Sequence, residues 1–149
     1  MPAEDKVKQW AAGGSIEKGE NLLQEGKVQE ALDAFEKARQ FESTWKIPPK
    51  SWQRLCWYGA LHGALHGGAK TAISACDTAV ALAPGNVWVR DSRGVARALT
   101  GDRAGAIADF QAFIKGTDSA ESKKQRQGWI DKLKKGENPF TEKEIDKLL

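Results

Sequence analysis

A short alanine-rich motif returns three times along the chain, and its spacing restricts the fold more than any other feature. Ala31-Leu32-Asp33-Ala34-Phe35-Glu36-Lys37-Ala38 is followed by Ala72-Ile73-Ser74-Ala75-Cys76-Asp77-Thr78-Ala79 and by Ala106-Ile107-Ala108-Asp109-Phe110-Gln111-Ala112-Phe113. The second and third copies begin 34 residues apart (106 − 72), the first and second 41 apart (72 − 31). The excess falls in the proline-bearing stretch from Trp45 to Ser51. A period near 34, each unit being two short helices, is the signature of stacked helical hairpins. Small side chains at recurring places let helix axes approach to about 8 Å, and Gly19 opposite Ala31 is the first such pair.

With 149 residues the chain is one domain, long enough to bury roughly two-thirds of its unfolded surface. Charged residues make up 29% and hydrophobic ones 40%, the balance of a globular chain and not a disordered one. A net charge of +3 does not by itself mark a nucleic-acid binder, for which a clustered basic face is the footprint. Cys56 and Cys76 are too few for a disulfide framework. They are expected as small, reduced core residues in a cytoplasmic protein, with a disulfide or a reactive thiol as the alternative. No apolar run approaches the ~18 residues of a membrane span, and the start of the chain lacks the apolar centre of a secretory signal.

Read in order, residues 2–12 form a short helix with Trp10 as a lid, ended by Gly13-Gly14. Ser15 then caps a helix to Gln24, Gly26 turns the chain, and Val28 to Phe41 answers. Trp45 and Ile47 anchor the insertion, where Pro48-Pro49 enforces an extended passage. Ser51 caps a helix rich in Trp52, Leu55, Trp57, Tyr58, Leu61 and Leu65, apolar nearly all round and therefore central. Ala69 to Leu82 follows it and stops at Ala83-Pro84-Gly85. Asn86 caps the helix from Val87 to Thr100, Gly101-Asp102 turns, and Arg103 to Lys115 completes the third pair. Ser119 or Ser122 opens a basic helix to Lys135 with an apolar strip of Trp129, Ile130 and Leu133. Thr141 and Glu144 form a capping box for a last short helix.

On these residues the chain resembles the tetratricopeptide repeat (TPR) family. Gly19, Ala31, Phe35 and Ala38 match in the first unit, Ala72, Ala79 and Pro84 in the second, Gly94, Ala106 and Phe110 in the third. The fold so implied is all-α: an α-α superhelix, or solenoid, of three TPR-like hairpins over about 12–42, 51–84 and 86–118. An N-terminal helix precedes them, and capping helices at about 119–149 shield the last unit. Ser15 stands where the first unit would have a large aromatic, and Cys76 replaces the aromatic of the second. The segments Leu55 to Gly59, Asp91 to Asp102 and Gln127 to Thr141 resemble a bacterial subgroup. There such arrays form the C-terminal part of large signalling proteins, which implies either an excised domain or a stand-alone relative.

The chemistry-bearing residues are sparse. His62 and His66 share a helix face at zinc-like spacing, but no third and fourth ligand is evident, so no metal is expected. Arg90, Arg93 and Arg97 form one stripe, suited either to hold an anion or to tie repeats together through Asp77 or Asp109. The family's clamp for a C-terminal carboxylate is not matched: its places hold Gly13, Glu17, Arg54, Tyr58, Trp88 and Ser92. Lys123, Lys124, Arg126, Lys132, Lys134 and Lys135, in the helix 123–135, read as a solvating face before they read as a nucleic-acid contact. No P-loop, dinucleotide fingerprint or nucleophile elbow occurs, so neither catalysis nor a cofactor is expected.

The inner face should instead present Ile16, Glu20, Leu23, Arg54, Trp57, Leu61, Trp88 and Asp91, aromatic and arginine groups of the kind that dominate binding energetics. The functional expectation is a scaffold module holding a protein or peptide segment, with Glu20, Arg54, Trp57, Leu61, Trp88 and Asp91 as contact residues. Trp57 and Trp88 could equally be core. The alternative function is self-association as a homo-oligomer. Nucleic acid and membrane are not expected partners.

Overall fold

The computed structural model describes residues 3–41, 47–66 and 69–149. Among them there is no strand, and the chain is all-α. The helices are α1 (Ala3–Gln24), α2 (Val28–Phe41), α3 (Pro49–His66), α4 (Ile73–Leu82, led in by a 3₁₀ turn at Ala69–Ala72), α5 (Val87–Leu99), α6 (Arg103–Gly116), α7 (Ala120–Lys134) and α8 (Glu142–Leu148). Consecutive helices pack as pairs, α1 on α2, α3 on α4 and α5 on α6.

The alanine ladder is the inner seam of these pairs. Ala31, Phe35 and Ala38 are fully buried, as are Cys76 and Ala79 with Ala72 at 1%, and Ala106, Phe110 and Phe113. A Cβ on Gly19 would stand 3.3 Å from the Ala31 carbonyl oxygen and from the Phe35 ring. One on Gly94 would lie 2.7 Å from the Phe110 ring, closer than any side chain tolerates. Each glycine is therefore the seat of an aromatic ring on the partner helix, which explains the residue type at both ends of the contact.

Four expectations are corrected. Gly13-Gly14 does not end a helix: α1 runs unbroken through both. Glycine costs about 1 kcal/mol in a helix but, unlike proline, removes no hydrogen bond, so the ladder continues. Ser51 caps nothing, because Pro49 already begins α3. Its hydroxyl donates instead to Glu20 at 3.0 Å, tying α3 to α1. Cys56 and Cys76 are not reduced thiols but a disulfide, buried between α3 and α4, and no free cysteine is present among the described residues. Ala69 to Leu82, expected as one helix, opens with the 3₁₀ turn.

Other boundaries agree. Gly26 turns at φ +75°, and Asn86, Ser119 and Thr141 cap α5, α7 and α8 by accepting from Trp88, Ser122 and Glu144 backbone N–H groups. Ile47 is buried with Trp52, Leu55 and Phe35 as the insertion anchor. The side chain of Trp10 and the whole of Trp45, Gly67 and Gly68 lie outside the described residues.

The core has three parts. One joins α1, α2, α3, α4 and the start of α5. A second, around Cys56, Ala60, Cys76 and Ala96, lies where α3, α4 and α5 meet. The third gathers Leu61 of α3, Val95 of α5 and Phe110 of α6 under Trp129, Ile130, Phe140 and Ile145. The C-terminal segment thus covers α6 as expected, and also returns to α3. Phe110, Trp129 and Phe140 stack with centroids 4.8–6.5 Å apart, the tilted and edge-on geometries that aromatic rings prefer.

Candidate partner-binding groove

The groove is built on α3 and α5. Lys50, Arg54, Trp57 and Tyr58 follow one another along α3 at i, i+4, i+7 and i+8, which is one face of a helix. Trp88 opens α5, set by the Asn86 cap on its own N–H at 2.9 Å. Asp91 and Ser92 lie one turn further on. With Gln53 and Arg126 these residues line a cleft of about 380 Å³. That volume suits a short segment of chain and not a folded domain.

Trp88 is 47% exposed yet held in place, its ring edge-on to Phe113 at 4.8 Å. Trp57 is half-buried against the third core cluster. Arg54 is 35% exposed and approaches Glu20 only at 3.9 Å, while Glu20 accepts the Ser51 hydroxyl. Lys50 is exposed with no acidic partner among the described residues.

The floor and far wall are rigid. Arg126 of α7 donates from Nε to Asp91 Oδ1 at 3.0 Å and from Nη2 to Oδ2 at 2.6 Å, a bidentate pair. Its guanidinium lies 4.9 Å from the Phe113 ring centre and 4.6 Å from that of Trp129. Burial pushes the Asp91 carboxyl above the usual carboxylate range, while the bond to Arg126 pulls it back. The Ser92 hydroxyl donates to the Trp88 carbonyl at 3.1 Å and accepts from Gln53.

Of the contact residues expected from sequence, Arg54, Trp57, Trp88 and Asp91 come together in this cleft. Leu61 does not: it is fully buried in the third cluster, because the C-terminal segment folds over that end of α3. Glu20 sits behind Arg54 and outside the lining, and Ile16 and Leu23 belong to the first cluster. Asp91 is not free for a partner, since Arg126 takes both oxygens. Arg126 was missed as a wall residue. Its position three and four before Trp129 and Ile130 places it on the apolar strip of α7, a signal its membership of a basic run concealed.

The arginine stripe is structural. Arg93 is bidentate to Asp109 at 2.9 Å through both Nε and Nη2, Arg97 reaches the same carboxylate at 2.9 Å and Arg90 at 3.4 Å. Asp109 is fully buried, and Arg93 also meets Asp77 at 3.6 Å, so the stripe ties α5 to α6 and to α4. The bond to Asp109 holds the Arg93 guanidinium more firmly protonated than usual. Cys56, committed to its bridge, is no ligand beside His62; the His66 side chain lies outside the described residues. No group of three possible metal ligands occurs among the described residues, and no described helix is long and apolar enough to cross a membrane. No protein-family model, no curated protein and no solved structure matches the chain.

Proposed function

We propose that the chain is a non-catalytic protein-interaction module, in which the three helical pairs stack as a TPR-like solenoid and the α3–α5 cleft holds a short peptide or protein segment. The exposed but immobilised indole of Trp88 carries this reading. A large apolar surface already fixed by Phe113 loses little conformational freedom on binding, which is what a hot-spot anchor requires. The polar groups around it support binding over chemistry: Asp91 is paired with Arg126, and the Ser92 hydroxyl is bonded to its own helix. No cofactor enters this reading. The buried Cys56–Cys76 bridge fits an oxidising compartment better than the reducing cytoplasm expected from two cysteines. Service as the sensing part of a larger signalling protein, as the sequence resemblance implies, is compatible with such a cleft.

Peptides selected from a random display library on the immobilised protein provide the test. They should bind one-to-one and lose affinity on Trp88→Ala, while circular dichroism and the melting temperature stay nearly unchanged. Selected peptides that tolerate both Trp88→Ala and Arg54→Ala would exclude the cleft. Concentration-dependent dimerisation, removed by Trp88→Ala in light scattering, would assign the surface to self-association instead.

A further inference from the structure

Resting on the groove reading above, we infer that the segment the cleft receives is acidic, its carboxylates lying against Lys50 and Arg54 and an apolar side chain lying on Trp88. Lys50 and Arg54 stand four apart on α3, so their like charges face each other and weaken the helix slightly. A stripe of this kind is neutralised elsewhere in the molecule: Arg90, Arg93 and Arg97 converge on the buried Asp109. Among the described residues no buried carboxylate plays that part here. Asp91, the one acidic residue of the lining, is fully engaged by Arg126. Glu20 reaches Arg54 only at 3.9 Å from outside the lining, and nothing among the described residues offsets Lys50. The cleft therefore presents two cations of excess charge beside three aromatic rings, Trp57, Tyr58 and Trp88.

The contacts also place the segment. Ser92, one turn after Trp88, is bonded to Gln53, so the apolar anchor on α5 stands beside the cations at the start of α3, while Trp57 and Tyr58 lie further along α3. The Asp91–Arg126 pair forms one wall of the cleft, and Leu61 itself is covered by the C-terminal segment. A carboxylate bridging Lys50 and Arg54 would relieve their mutual repulsion and be held by charge-assisted hydrogen bonds.

Three fluorescein-labelled peptides of equal length, sharing a Leu-Phe pair and flanked by glutamate, glutamine or lysine, test this by anisotropy. The glutamate peptide should bind roughly tenfold more tightly than the glutamine one, with the advantage shrinking as salt is added. The double variant Lys50→Glu with Arg54→Glu, its fold checked by circular dichroism, should move the preference to the lysine peptide. Equal binding of glutamate and glutamine peptides, both lost on Trp88→Ala, would overturn the acidic preference and keep the groove. Binding of the glutamate peptide that survives Trp88→Ala and the double reversal would overturn both. Failure of all three to bind at about millimolar protein would overturn the inference as well.

Discussion

The middle and the last helical pairs solve one packing problem in two ways. In α5–α6, the fifth residue of the alanine ladder is Phe110, whose ring presses on Gly94 of the facing helix. In α3–α4 the same ladder position is Cys76, too small to reach across, and a covalent bond to Cys56 replaces the ring. Both side chains are fully buried. The first pair, with Phe35 on Gly19, follows the aromatic solution. The difference teaches that the repeat demands a linkage at that place and not a particular residue.

Breaking the aromatic linkage should have the largest effect. Phe110→Ala removes a ring packed on Gly94, Trp129 and Phe140, and should lower stability by about 3–5 kcal/mol in urea unfolding. Breaking the covalent one should come next. Replacing both Cys56 and Cys76 with alanine frees a loop of sequence separation 20, worth about 3 kcal/mol. Dithiothreitol should lower the melting temperature of the parent protein toward that of this variant, and leave the variant unmoved. Gly94→Ala tests the seat of the ring. Its Cβ would lie 2.7 Å from Phe110, so crowding should outweigh the helix propensity gained and cost about 1–2 kcal/mol. Gly19→Ala, whose closest contacts are 3.3 Å, should change the unfolding free energy least, by under about 1 kcal/mol in urea unfolding. If Gly94→Ala were as mild as Gly19→Ala, the two aromatic seats would not differ as the distances indicate.

Much of the fold was legible from the chain alone. Turn and cap chemistry is local, so Gly26, Asn86, Ser119 and Thr141 announced their roles, and the ladder announced the buried seam. Local reasoning failed at Gly13-Gly14, where glycine's weak propensity does not interrupt the hydrogen-bond ladder of α1. The groove was only half legible. Arg54, Trp57 and Trp88 could be assigned to one face by helical period, but whether that face stays open depends on residues from 126 onward.

The sequence by itself therefore determined the helices, their pairing and the small residues at each seam, because these follow from contacts within a turn or between neighbouring helices. Tertiary structure alone decided that Cys56 meets Cys76, that Arg126 spends itself on Asp91, and that the C-terminal segment buries Leu61 while leaving Trp88 in solvent. Those outcomes join residues 20 to more than 60 positions apart, and no local period encodes which distant partner arrives.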